Sequence, residues 1–316
     1  MPMITLLTRG LKGLLLTWFA LLASASAGPV DQTLPWVTRE VQAPRVVYRT
    51  FDSRTVGAKV SYHVYLPQGH DGSDSRWPVL YWLHGTEGGV SGIRPLARLF
   101  DEAIEAGRAP AMIVVFVNGL PRRLWADSKD GSSPVETVFI QEVIPDVDRT
   151  FRTIASREGR LLEGFSMGGY GAARLGFGYP HLFAGISILA GGPLDLELRG
   201  PRAQRSPQTR QQLLREVCSD DWACFRALSP LTVVEVAAPV LRAQPPVVRQ
   251  AVGMLDDTRD LNRQFHERMV GLGIAHDYVE LPGVGHDPQA LLQGLLARGD
   301  GFYRRALNLA EPAARK

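Results

Sequence analysis

Residues 159–178, GRLLEGFSMGGYGAARLGFG, restrict the fold more than any other part of the chain. The first half is apolar and short, as a strand is; the second is helix-like, and Ser166 stands at the junction between Gly164 and Gly168. A strand that turns directly into a helix strains the residue at its tip. Side chains two positions to either side then collide with the neighbouring strand and helix. Glycines at 164 and 168 avoid that collision, so the pattern predicts a strand–turn–helix unit presenting the Ser166 hydroxyl. A polar serine in an ordinary glycine-rich turn is the competing reading, and partners elsewhere in the chain decide between them.

The same order of elements recurs along the sequence. RVVYRTF (45–51) and KVSYHVYLP (59–67) read as early strands, the second alternating in polarity as a half-buried antiparallel strand does. PVLYWLHG (78–85) and AMIVVFVNG (111–119) are continuous apolar runs, which suit central strands covered on both faces. Further strands are expected at 183–192, 247–255 and 275–283, with helices near 94–106, 135–151 and 167–178. This alternation predicts an α/β fold: one mostly parallel sheet with helices on both faces. Residues 193–246 break the rhythm with Pro, Arg and Gln. They read as an insertion over the C-terminal edge of the sheet, either a lid over a ligand or a packing excursion.

A serine hydroxyl needs a histidine base oriented by a carboxylate, and in this class of fold the chain order is Ser, acid, His. His286, in LPGVGHDP after the last expected strand, is the preferred base. The acid is expected after the preceding strand, where AVGMLDDTRDLN offers Asp256, Asp257 and Asp260; Asp256 is favoured, Asp257 is its near rival, and Asp260 suits a helix cap. The helix following Ser166 aims its first amides at the site, so the Met167 N–H is one expected oxyanion donor. LHGTEGG (83–89) supplies the other, from Thr86 or else Gly85, with His84 as a structural residue that fixes the loop. In LWADSKDGSSPVET (124–137), Trp125, Asp127 and Lys129 are candidates for lining the acyl or leaving-group pocket, against the alternative of an ordinary polar loop.

Arg9 and Lys12 precede the apolar run 14–23, and the small residues 25–27 offer a cleavage point. Residues 1–27 therefore read as an export signal ahead of a single domain, 28–316, with no membrane span in the mature chain and a secreted or periplasmic location. Without those residues the formal net charge of +3 becomes +1. A chain so near neutrality does not point to a nucleic-acid partner. Cys218 and Cys224 are the only cysteines, and export predicts that they form a disulfide. With no histidine within fifteen residues of either, they do not suggest a metal site.

Together, LHGTEGG, GFSMGGYGAARLGFGYPHLF, VGMLDDTRDLNRQF and LPGVGHD resemble the esterase D-like branch of α/β hydrolases, over about residues 45–305. That branch includes feruloyl and acetylxylan esterases, S-formylglutathione hydrolase and the mycolyltransferases. The resemblance implies a G-x-x-D turn followed by an asparagine and a phenylalanine, places taken here by Gly253, Asp256, Asn262 and Phe265, which favours Asp256 over Asp257. Leu255 departs from the polar residue often found there. Joined to the export signal, the resemblance implies an exported serine carboxylesterase that uses no metal or cofactor, acting on a small-molecule or polysaccharide-linked ester. Acyl transfer, siderophore-ester hydrolysis and a non-catalytic carbohydrate-binding role on the same scaffold are the alternatives.

Overall fold

The structure, a computed structural model, describes residues 28–72, 74–191, 207–299 and 301–310, without the side chains of 207–210. The expected export signal, 1–27, lies outside the described residues, as does the 193–206 part of the expected insertion. Eight strands form one sheet in the order β1-β2-β4-β3-β5-β6-β7-β8. They are β1 (Val46–Ser53), β2 (Ala58–Tyr65), β3 (Val79–Leu83), β4 (Ile113–Val117), β5 (Arg160–Phe165), β6 (Gly185–Leu189), β7 (Val247–Gly253) and β8 (Asp277–Leu281). Only β2 runs against its neighbours, antiparallel to both β1 and β4; all other pairings are parallel. This is the expected α/β architecture, a mostly parallel sheet of eight strands with helices on both faces.

Alternation along each strand divides the core in two. Leu80 and Trp82 of β3 and Val114 and Phe116 of β4 face α1 (Val90–Glu105), which buries Ile93, Leu96 and Phe100 against them. Val79, Tyr81 and Leu83 point to the other face, where α2 (Val135–Val138), α3 (Ile144–Thr150) and α4 (Met167–Gly178) pack. The helix expected over 135–151 is broken by a π turn at Phe139–Val143. Pro145 explains the break: it has no N–H to continue the α ladder, and its ring crowds the carbonyl four residues back.

Residues 207–246, the described part of the expected insertion, are mostly helical. After α5 (Pro207–Cys218) and α6 (Trp222–Ala227) comes α7 (Pro230–Ala243), which buries Val234, Ala238 and Leu241 in the core against α4. Residues 230–243 are thus the ordinary crossover helix between β6 and β7, capped by Ser229 Oγ accepting from the Leu231 N–H at 3.2 Å. The expected disulfide joins Cys218 to Cys224 across the α5–α6 corner. No helix among the described residues is long and apolar enough to cross a membrane. Beyond β7 come α8 (Arg259–Gly271), α9 (Pro288–Arg298) and α10 (Phe302–Ala306).

One charged row crosses the sheet interior. Register places Glu163 of β5 opposite Ser187 of β6, and Ser187 opposite Arg249 of β7. Arg249 pairs with Glu163 at 2.5 Å, Ser187 and Tyr303 donate to Glu163 at 2.7 Å each, and the guanidinium lies 4.3 Å from the Phe302 ring centre. Removing one partner of such a pair leaves the other charge buried without its counter-ion. Glu163→Gln is therefore expected to cost about 3–5 kcal/mol in urea unfolding, and Glu163→Leu combined with Arg249→Met to recover much of it.

A second expectation concerns pH. Burial pushes His63 and His84 down to about 4 from 6.5, outweighing the Glu40 charge near His63 and the Gly85 carbonyl at His84. The folded chain keeps both neutral where the unfolded chain binds protons, so their stabilisation is complete above pH 6.5 and is lost as pH falls towards 4. Unfolding free energy measured from pH 7 to 4.5 is expected to fall by up to about 1.4 kcal/mol per pH unit for each histidine. A flat profile would contradict this.

Candidate active site

Ser166 occupies the turn between β5 and α4 at φ 58° and ψ −120°, a region costly for any residue with a side chain. The turn is possible because its flanks are glycine. A Cβ on Gly168 would stand 1.9 Å from the Leu83 carbonyl oxygen, and one on Gly164 would stand 2.2 Å from that of Gly168. Ser166 is anchored by its own backbone, its N–H on the Leu189 carbonyl at 2.9 Å and its carbonyl accepting from Tyr170 at 3.0 Å. Its hydroxyl does not cap the helix it begins.

That hydroxyl lies 2.9 Å from His286 Nε2, and His286 Nδ1 lies 2.7 Å from Asp256 Oδ2. With the ring proton on Nδ1, His286 donates to Asp256 and accepts from Ser166. The ring rests 4.6 Å, centre to centre, from Phe165, on the loop after β8 where Gly283 takes a φ of 72°. Beyond it Asp287 caps α9 by accepting from Gln289 and Ala290 at 2.8 and 3.0 Å. The loops carrying Asp256 and His286 are laced together: the Leu255 N–H donates to the Val284 carbonyl at 2.9 Å, and a Cβ on Gly253 would stand 2.2 Å from that oxygen.

Asp256 is 4 % exposed. Burial pushes its carboxyl up, but the His286 hydrogen bond and charge and the Thr258 donors together hold it below the usual carboxylate range. Its second oxygen accepts from the Thr258 N–H and hydroxyl, both at 2.8 Å. Asn262 in turn donates to the Thr258 carbonyl at 3.0 Å, and Gln250 donates to the Asn262 carbonyl at 2.7 Å. Neither Thr258 nor Gln250 is anticipated by the sequence motifs. The D-x-T spacing, which suits a short side-chain-to-backbone turn, was the available signal for Thr258.

Asp257 also comes close: one oxygen of each of Asp256 and Asp257 and one ring nitrogen of His286 lie within 4.8 Å of one another. The bond to Nδ1 nevertheless comes from Asp256. Asp260 is not a cap; Thr258 takes that position, and Asp260 sits in the first turn of α8, where a negative charge suits the positive end of the helix. Asn262 and Phe265 are both buried in α8, Phe265 against Phe177.

The loop after β3 passes beside Ser166: a Cβ on Gly85 would stand 3.6 Å from that of Ser166. Thr86 follows in this loop, and Met167 opens α4, where the first amides have no partner within the helix. His84 is fully engaged, with Nδ1 2.7 Å from the Gly85 carbonyl and Nε2 accepting from the Gly119 N–H at 3.1 Å.

The expected pocket residues are arranged differently. Trp125 is entirely buried, its indole turned inward beneath the β3 loop. Asp127 accepts from the Thr137 N–H and hydroxyl at 2.9 and 2.5 Å. Lys129 pairs with Asp221 at 2.5 Å, and its N–H donates to the Val217 carbonyl at 2.7 Å. All three side chains make contacts that hold loops and helices in place.

Comparison with known proteins agrees with this architecture. A family model, "Esterase: Putative esterase", matches residues 53–222. The chain is 30 % identical over 185 residues to an "Endo-1,4-beta-xylanase/feruloyl esterase" of Xylanibacter ruminicola, covering 55 % of this chain and 25 % of that one. It is 32 % identical over 159 residues to "Esterase Rv1288" of Mycobacterium tuberculosis, covering 49 % and 34 % respectively. The chain thus spans about a quarter to a third of the length of these curated relatives. Among solved structures, a "ferulic acid esterase" superimposes with a TM-score of 0.67 at 25 % identity, over 83 % of this chain and 98 % of that one. The family match extends over more than half of the 316 residues, and the chain belongs to the esterase family.

Proposed function

We propose that the chain is an exported serine carboxylic-ester hydrolase that works through an acyl-enzyme. The continuous hydrogen-bonded relay from Ser166 through His286 to the buried Asp256 carries this reading. Ser166 Oγ attacks the ester carbonyl as its proton passes to His286 Nε2, and Asp256 holds the imidazolium through Nδ1. The carbonyl oxygen becomes an oxyanion facing the Thr86 and Met167 amides. When the tetrahedral intermediate collapses, the ester C–O bond breaks and the alcohol leaves with the proton from His286. Water then attacks the acyl-enzyme, giving its proton to the same nitrogen, and the acid departs as Ser166 Oγ takes that proton back.

The printed activities of the similar proteins favour feruloyl or acetyl esters of polysaccharide, or other short-chain esters, as substrates. The Cys218–Cys224 bond and the apolar run 14–23 support export to an oxidising compartment.

Ser166→Ala is expected to abolish both p-nitrophenyl acetate hydrolysis and labelling by a fluorophosphonate while leaving the far-UV circular dichroism unchanged; retained turnover would refute the assignment. Asp256→Asn, which leaves the imidazole in the wrong tautomer, is expected to lower kcat by roughly 10⁴. Asp257→Asn is expected to fall far short of that. If the two effects were reversed, the acid would be Asp257.

A further inference from the structure

Four residues other than glycine between Leu120 and Trp125 have backbones in the left-handed region: Leu120 at φ 57°, Arg122 at 56°, Leu124 at 52° and Trp125 at 56°. The chain following β4 does not tolerate such a run without being held, and three of the bonds that hold it go to the loop after β3. The Gly119 N–H donates to His84 Nε2 at 3.1 Å, the Arg122 N–H to the Thr86 carbonyl at 3.0 Å, and the Trp125 indole N–H to the His84 carbonyl at 3.2 Å.

Trp125 reaches the other wall of the site as well. Its ring leaves no space for a Cβ on Gly119, at 2.4 Å, or on Gly171 of α4, at 2.5 Å, and it packs 4.9 Å from the His84 ring, centre to centre. Arg174, one turn further along α4, donates to the Trp125 carbonyl at 3.1 Å and pairs with Glu136 at 2.5 Å. The indole is therefore wedged between the segment carrying Thr86 and the helix that Met167 begins.

We propose that Trp125 is a positioning residue for the oxyanion hole. It fixes the separation of the Thr86 loop from the first turn of α4, so that two amides on different segments converge on one oxygen. The inference rests on the reading of Thr86 and Met167 as the oxyanion donors of a serine esterase. Strain fits this role, because donors built in advance need no reorganisation as charge develops. The wedge acts through the amides and does not touch substrate, so its loss lowers kcat and spares KM.

The test is steady-state hydrolysis of p-nitrophenyl acetate by Trp125→Phe, which keeps a ring and removes the indole N–H, with an alkyl boronic acid as a tetrahedral probe. The expected result is a kcat lower by roughly 10- to 100-fold, less than removing a donor outright. KM should stay within about twofold, and the boronate should weaken in proportion to kcat. Wild-type kcat and boronate affinity, or a raised KM at unchanged kcat, would overturn the inference. If Trp125→Phe does not fold, His84→Asn retains the indole, removes the Nε2 acceptor of Gly119, and is read by the same split. Fluorophosphonate labelling of the wild-type chain separates the two readings. An unlabelled Ser166 defeats the esterase assignment itself, whereas a labelled Ser166 beside an unaffected Trp125→Phe defeats only the wedge.

Discussion

Among the described residues, the tightest constraint is steric, and it lies at the turn that carries Ser166. Gly168 has the Leu83 carbonyl where a Cβ would be, Gly164 has the Gly168 carbonyl, and Gly169 and Gly191 exclude each other's side chains in the same way. Three central strands and the helix α4 therefore approach at backbone distance. That contact brings the end of β3, the tip of β5 and the end of β6 to a single point, with the Ser166 N–H bonded to the Leu189 carbonyl of β6. The rest of the candidate site is placed relative to this point, the Thr86 loop on one side and the loops carrying Asp256 and His286 on the other.

Beneath the turn, the sheet is held in register by polar as well as apolar groups. The row Glu163, Ser187, Arg249 joins β5 to β7 directly under the site, three residues before Ser166 and seven before Asp256. A buried pair of this kind adds little net stability compared with a well-packed apolar one. It does penalise any slip of register, because a displaced strand would leave two charges in the core unpaired. The chain Gln250, Asn262, Thr258, Asp256 does the same at smaller scale, fixing the carboxylate from behind so that one oxygen is left for His286.

Much of the fold was legible because its signals are local. All eight strands are short apolar runs bounded by turn residues, and the strand–turn–helix at 160–178 is written in adjacent glycines. The contact of positions 166, 256 and 286 was readable from chain order and loop placement. The features that could not be read depend on contacts that only the folded chain makes. Trp125 stands in a polar, glycine-bearing stretch that resembles surface; its burial is created by Gly119 of the same connection together with Gly171 of α4 and His84 of the loop after β3. Residues 230–243 were obscured by Pro230 and Pro239, although Pro230 lies in the first turn, where it suits a helix start. The second bond to Asp256 was hidden because Thr258 is an ordinary helix-start residue until its hydroxyl is seen to point back to the acid.

The π turn at Phe139–Val143 shows that chain length can be as strictly prescribed as side-chain identity. Its wider coil takes in one residue more than an α-helical path of the same rise. Deleting one residue there would restore regular winding over the same rise with later positions kept on their faces, whereas deleting one from α2 would rotate every later position by about 100°. In the latter case Ile144 and Val147, now in the core, and Asp146, which accepts from the Tyr62 hydroxyl at 2.6 Å, would all swing aside. A gap of one residue in an alignment at the π turn would therefore mark the loss of that turn, with the same helix faces packed, rather than a trimmed loop.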